Sequence, residues 1–263
     1  MTTLQPDLIE FFRLAPLGFA IGAYGTLVGA GGGSVLVPVL LLMMPNESPA
    51  ALTSISLAVV FFNAYSGTIA YVRMRRINYY AGTLFTLAGI PGAILGVMLV
   101  HKLPRAVFDP LFGILLLGIG LWLVRDPLGR LAGKEEHQPG DRSGALAGAI
   151  GSAYIAVLSS LLGIGGGIIH VPFLIRVLRM PPHTATATSH FVLTFMALTA
   201  TVTHVGMGGC ETGSDRTMYL AVGVMMGATL GAAFSVKVRG SFIIRMLAVA
   251  LCLVGLRLIA RMF

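Results

Sequence analysis

Residues 14–44 form an apolar run that belongs in a membrane, yet one continuous helix cannot pass through it, because four of the five residues from Gly29 to Gly33 are glycine. Each glycine costs a helix about 1 kcal/mol relative to alanine, so a cluster of them marks a break. The same arrangement is written again downstream. GAGGGSVLVP (Gly29 to Pro38) returns as GIGGGIIHVP (Gly163 to Pro172), and in both a glycine triplet is followed by a proline. A chain with two such interrupted segments has to fold around both of them, as transporters with broken helices do.

Composition sets the solvent. Of 263 residues, 56% are hydrophobic and only 11% charged, where a water-soluble domain needs about a quarter charged. The apolar residues come in runs long enough to cross a hydrocarbon core, since about 20 residues suffice. This predicts an all-α polytopic membrane protein. The net charge of +8 does not point to nucleic acid, because the cations fall in short loops beside spans. Membrane orientation and anionic lipid headgroups account for them there. Asp7 and Glu10 stand where a cleaved signal peptide would be basic, so none is expected. Cys210 falls in a loop and Cys252 in a span, and no disulfide is expected between them.

Further spans are predicted at 50–72, 81–100, 107–124, 185–205, 219–236 and 242–260, with a second broken segment at 144–178. The one long polar stretch, 125–142, reads as a linker on the cytoplasmic side. The chain divides into a first membrane repeat (1–124), that linker, and a second membrane repeat (143–263), together one integral membrane domain. An offset of 134 or 135 pairs Gly31, Gly32, Gly33 and Pro38 with Gly165, Gly166, Gly167 and Pro172. It also pairs Ser54 with Ser189, Gly92 with Gly227, Gly96 with Gly231 and Gly120 with Gly255. Matches over all the spans make the chain two copies of one unit.

Loop charge suggests how the copies lie. PNESP has no cation and RMRR is strongly basic, whereas their counterparts, RVLRMPPH and MGGCETGSDR, are basic and nearly neutral. Basic loops stay in the cytoplasm, which places equivalent loops on opposite faces. The expectation is two inverted repeats, each a glycine-broken segment plus three transmembrane helices. Inversion needs an odd number of crossings per half, so the broken segment must return to the face it entered from. Arms of about 15 residues, ~22 Å as helix, suit a re-entrant or tilted hairpin. HKLPR is a basic loop that this scheme leaves outside.

The candidate substrate site follows from the breaks. Glycine adopts positive φ and lets backbone approach a ligand. Helix starts at a break expose N–H groups with about +0.5 charge, which favour an anion. Gly31, Gly32, Gly33 and Ser34 from the first copy and Gly165, Gly166 and Gly167 from the second are therefore candidates. The hydroxyl pairs Thr53-Ser54 and Thr188-Ser189 open the following spans, where they either bond an oxyanion or bond back to their own helix. His190 and His170 occur in the second copy alone, against Ile55 and Leu36. An ionisable residue within a membrane is a functional candidate, here for proton coupling or for pairing with the anion; a neutral histidine bonded to a carbonyl is the structural alternative.

GAGGGS lacks the βαβ surroundings of a dinucleotide fingerprint. An intramembrane serine hydrolase using Ser34 with His170 or His190 is disfavoured, because the second copy has Ile168 in place of Ser34. No residues have metal-site spacing, and no cofactor is expected. An anion channel is the nearer alternative to a permease. The partners expected are a small anion and membrane lipid, and a homodimer is compatible with the sequence.

GAGGGSVLVP and GIGGGIIHVPFLIRVLRMPPHTATATSH resemble the paired signatures of the sulfite exporter TauE/SafE family of membrane permeases, and the likeness covers nearly the whole chain. The resemblance implies a multi-pass secondary transporter of the bacterial or archaeal cytoplasmic (inner) membrane. It implies cargo such as sulfite, sulfonates, sulfoacetate or other sulfur-containing or carboxylated anions. The first copy departs from the second in PNESPAALTSIS, which has no histidine after Ser54.

Overall fold

Glycines with positive φ end one helix and begin the next at both breaks, and the rest of the architecture hangs on these two points. A computed structural model describes residues 4–29, 31–44, 46–125, 142–176, 178–209, 214–235, 248–249, 251–253 and 255–256. The described elements are helices: α1 (Leu4–Val28), α2 (Gly33–Met43), α3 (Pro49–Arg73), α4 (Tyr79–Val100), α5 (Arg105–Arg125), α6 (Arg142–Leu161), α7 (Gly167–Arg176), α8 (Pro182–Gly206) and α9 (Ser214–Ser235). Six of them carry a stretch long and apolar enough to cross a membrane, including Ile9–Val28 in α1. Most of the linker, and most of the final predicted span, lie outside the described residues. Cys252 is a free thiol, and Cys210 lies outside the described residues.

The broken segments are less even than expected. Instead of two arms of similar length, α1 has 25 residues and α2 has 11, while α6 has 20 and α7 has 10. A short arm of about 11 residues covers only ~16 Å, roughly half a membrane. The first break nevertheless turns back on itself. Glu10 and Leu14 from α1 line the same cavity as Leu40, Met43 and Met44 at the far end of α2, so entry and exit lie at one end of the molecule.

Packing runs between the halves. α1 lies along α9, α4 along α6, and α3 along α8, with further contact of α3 with α9 and α4 with α8. The sequence offset reappears in this packing. A Cβ on Gly92 or Gly96 of α4 would strike the carbonyls of Ala153 or Val157 in α6, and one on Gly227 or Gly231 of α9 would strike those of Phe19 or Ala23 in α1. Such backbone-to-backbone approach suits a membrane bundle, where close packing rather than the hydrophobic effect holds helices together. Large apolar side chains left exposed on the outside, Leu87, Ile114 and Met226 among them, form a surface fit for lipid.

The central pair α3 and α8 runs antiparallel. Thr53 meets His204, Thr68 meets Thr194 at 3.0 Å, and Tyr71 meets His190, so position rises in one helix as it falls in the other. The basic loops after α3 and before α8 therefore lie together, and Arg76, Pro182 and His183 line one cavity.

The misfit loop HKLPR lies at the opposite end with PNESP, and its arginine has a structural task. Arg105 donates to the carbonyls of Glu47 (3.0 Å) and Leu41 (3.4 Å) and pairs with Asp109 (3.3 Å). It closes the C-terminal end of α2, where helix carbonyls lack partners and a cation is favoured. Arg105→Ala should lower stability by about 1–3 kcal/mol, seen as a lower thermal midpoint in detergent.

Candidate functional site

The two breaks each hold three glycines of positive φ at matching positions. Gly29, Gly31 and Gly32 have φ of 80°, 71° and 79°, and Gly163, Gly165 and Gly166 have 70°, 75° and 92°. Residues with side chains avoid this left-handed region at a cost of roughly 1–2 kcal/mol. Gly33 and Gly167 then open α2 and α7. Pro38 and Pro172 fall within these short helices and have no N–H to give to the residue four back, Ser34 and Ile168. The first turns therefore hold both N–H groups without an intrahelical acceptor and a carbonyl without its usual donor.

These two helix starts meet between α3 and α8. A Cβ on Gly33 would stand 2.8 Å from the Ile164 carbonyl and 2.8 Å from Val60, which a Cβ on Gly165 would also strike. Leu193 of α8 lies against Gly31 in the same way. Val60, Ala64, Leu193 and Ala197 make a small buried cluster here. In this conformation, aliphatic side chains fill the space beside the glycines.

Buried polar groups without partners gather at the breaks. Ser34 is 1% exposed and its Oγ has no hydrogen bond. Asn63 is fully buried, accepts from Thr26 Oγ1 at 2.8 Å, and leaves its Nδ2 unpaired. That amide faces the first break, 3.0 and 3.5 Å from where Cβ atoms on Gly25 and Gly32 would be. Ser159 has a matching place at the second break, its unpaired Oγ 2.8 Å from a Cβ on Gly166. A buried polar group without a partner costs about 1–3 kcal/mol, so three beside two glycine breaks need an explanation.

The predicted hydroxyl pairs divide. Thr53 is buried but bonds back to its own helix, donating to Pro49 O at 2.9 Å. Thr188 accepts from the Asn78 N–H at 3.0 Å, which ties the start of α4 to α8. Both hydroxyls are thus engaged within the protein, Thr53 with its own helix and Thr188 with the start of α4. Ser54 is buried, and Ser189 is fully buried with an unpaired Oγ. His190 and His170 are both 0% exposed. His190 Nδ1 lies 3.3 Å from Thr186 O, its Nε2 has no partner, and Gly67 makes room for the ring. His170 has neither nitrogen paired and sits among Phe85 and Phe173. Ser34 is bonded to neither histidine, so the hydrolase dyad is not formed.

Sequence reasoning passed over Asn63 and Ser159, and ranked His204, with His183, behind His170 and His190 because both fall nearer the ends of spans. Asn63 could have been found, as the single amide in the apolar run from Leu57 to Tyr65. Buried His204 reaches Thr53 Oγ1 at 3.5 Å, and its ring lies 5.1 Å from that of His101. This pair sits near the end opposite the basic loops. Among the described residues no group of three or more His, Cys, Asp or Glu is placed to hold a metal.

Broken helices paired in a bundle of membrane-spanning helices define a membrane transporter. The chain belongs to the sulfite exporter TauE/SafE family, whose model matches residues 14–258. It is 29% identical to the probable membrane transporter protein YunE of Bacillus subtilis, over 95% of this chain and 98% of that protein. A probable membrane transporter protein of Xylella fastidiosa is 29% identical over 77% of this chain and 75% of its own length. Another, MJ0441 of Methanocaldococcus jannaschii, is 27% identical over 74% of each. No solved structure matches the chain.

Proposed function

We propose that the protein is a permease of the cytoplasmic membrane that carries a small oxyanion, sulfite or an organosulfonate, by alternating access between two inverted repeats. The observation that supports this most is the meeting of two glycine breaks, each with three positive-φ glycines, with Ser34, Asn63 and Ser159 unpaired beside them. Two helix starts, α2 and α7, bring their positive ends to one place, and unpaired hydroxyl and amide donors surround it. An oxyanion accepts from all of these, which a cation cannot do. Gly31, Gly32, Gly33, Ser34, Gly165, Gly166, Gly167 and Ser189 form the site in this reading, with Ser54 and the His190 Nε2 beside it. Asn63 and Ser159 join them. Thr53 and Thr188 hold the helices that bear it.

The antiparallel course of α3 and α8, and packing that repeats under one sequence offset, support inverted repeats. An axis relating antiparallel helices lies in the membrane plane, so each half can close one face. Opening requires Val60 and Leu193 to part from the opposing glycines. A proton taken up by His190 or His170 is the coupling step this reading favours. Basic loops at the Arg76 end favour that end as the cytoplasmic one.

Ser34→Ala and Ser159→Ala test the site. Removing an unpaired buried hydroxyl leaves the thermal midpoint unchanged or raised, because a desolvation cost disappears. Sulfite raises the midpoint of the wild type in a panel with thiosulfate, sulfonates and carboxylates, by linkage to the folded state. The stabilisation shrinks in both variants. A full ligand shift in both would remove these hydroxyls from the site.

A further inference from the structure

Three arginines close α3, and they are not alike. Arg73 and Arg75 are exposed, as arginines that only orient a membrane protein would be, but Arg76 is half-buried. Its Nη1 is buried without a hydrogen-bond partner. No ion pair is formed by Arg76 among the described residues, and a buried guanidinium N–H left unpaired is costly.

Arg76 lines a cavity of about 40 Å³ with Tyr71, His183, Thr186, Val28 and Val171. The cavity sits at the end of the basic loops, with His183 exposed at its rim. Its inner wall is the back of the first glycine break. A Cβ on Gly29 would stand 2.8 Å from Val171 and 2.9 Å from Thr186, so these two side chains separate the cavity from the break. A water needs about 10–15 Å³ on this measure, so the space accepts roughly three waters, or a compact oxyanion of a few heavy atoms. Among the described residues, the site between the breaks has donors but no arginine or lysine. Arg76 supplies the fixed charge that it lacks, one step nearer the water.

We propose that this cavity is a second anion site, a vestibule in which Arg76 binds sulfite through charge-assisted hydrogen bonds before it passes Val171 and Thr186 to the glycine breaks. The assignment rests on the permease reading, but it can fail separately. An inorganic oxyanion fits within the cavity, whereas an organosulfonate keeps its carbon chain in the mouth beside His183.

Equilibrium dialysis of radiolabelled sulfite against the detergent-solubilised chain gives two anions per chain in the wild type and one in Arg76→Gln. Arg76→Lys restores the second. Val28→Phe, which fills the cavity and leaves the arginine in place, also removes it and covers the case in which Arg76→Gln does not fold. In proteoliposomes, Arg76→Gln raises the half-saturating sulfite concentration on the Arg76 side at least about tenfold, as loss of a hydrogen bond to a charged group implies. The opposite side is unchanged. Two anions per chain in both Arg76→Gln and Val28→Phe, an equal rise on both sides, or no sulfite bound to the wild type would overturn the vestibule. If Arg76→Gln and Val28→Phe each lose one anion while Gly166→Ala still binds two, the vestibule stands and the central site falls.

Discussion

Gly32→Ala and Gly166→Ala each lower sulfite flux through proteoliposomes by about tenfold or more, although both variants fold. At φ of 79° and 92°, an alanine is held in left-handed backbone at a cost of roughly 1–2 kcal/mol. The new methyls also meet Ile21 at 2.8 Å and Ser159 Oγ at 2.8 Å. The backbone relieves both by turning the first N–H groups of α2 and α7 away from their shared centre. A shift of about 1.4 kcal/mol in the barrier is tenfold in rate. Gly118→Ala is the control. Its Cβ would meet nothing within 4 Å, and in mid-helix it should add a few tenths of a kcal/mol of stability at unchanged flux. Equal flux in all three variants would show the breaks to be bends without a binding role.

The largest effect on folding is expected at the small-residue seams. Gly227→Leu drives a side chain into the Phe19 carbonyl of α1, and Gly92→Leu does the same to Ala153 of α6. Backbone on a packed helix cannot move aside as a side chain can, so each should cost on the order of 3 kcal/mol or more. In a thermal melt of the solubilised protein, both lose most of the folded fraction, and to similar extents if the seams are equivalent. Gly89→Ala meets the flexible Cε end of Met196 instead and should cost less than about 1 kcal/mol. A Gly227→Leu protein melting like the wild type would mean that α1 and α9 are not held this closely.

What could be seen in the residues was what glycine and proline dictate locally. GAGGG and GIGGG are legible because only glycine occupies positive φ at three positions without strain, and both breaks form there. Small residues recurring at one spacing were legible too, and Gly92, Gly96, Gly227 and Gly231 all turn out to face backbone. Contacts between distant segments were not legible. Nothing local to Asn63 says that its amide faces Gly32, since that depends on how α3 crosses the first break. Thr53 and Thr188 look alike in sequence, and only their surroundings show one bonded to its own helix and the other to Asn78. Arg105 reads as an orientation signal that contradicts the topology, until the carbonyls of α2 appear as its acceptors.

The proposal that two breaks at one centre, reached from opposite ends, serve a carrier exposing one site alternately is tested directly by counterflow. Proteoliposomes loaded with unlabelled sulfite are diluted into a trace of radiolabelled sulfite, with the membrane potential clamped. A carrier returns with label each time it delivers unlabelled sulfite, so internal label should rise transiently above the external concentration and then fall. Label that only climbs to equilibrium, at a rate independent of sulfite inside, would contradict alternating access and describe a channel.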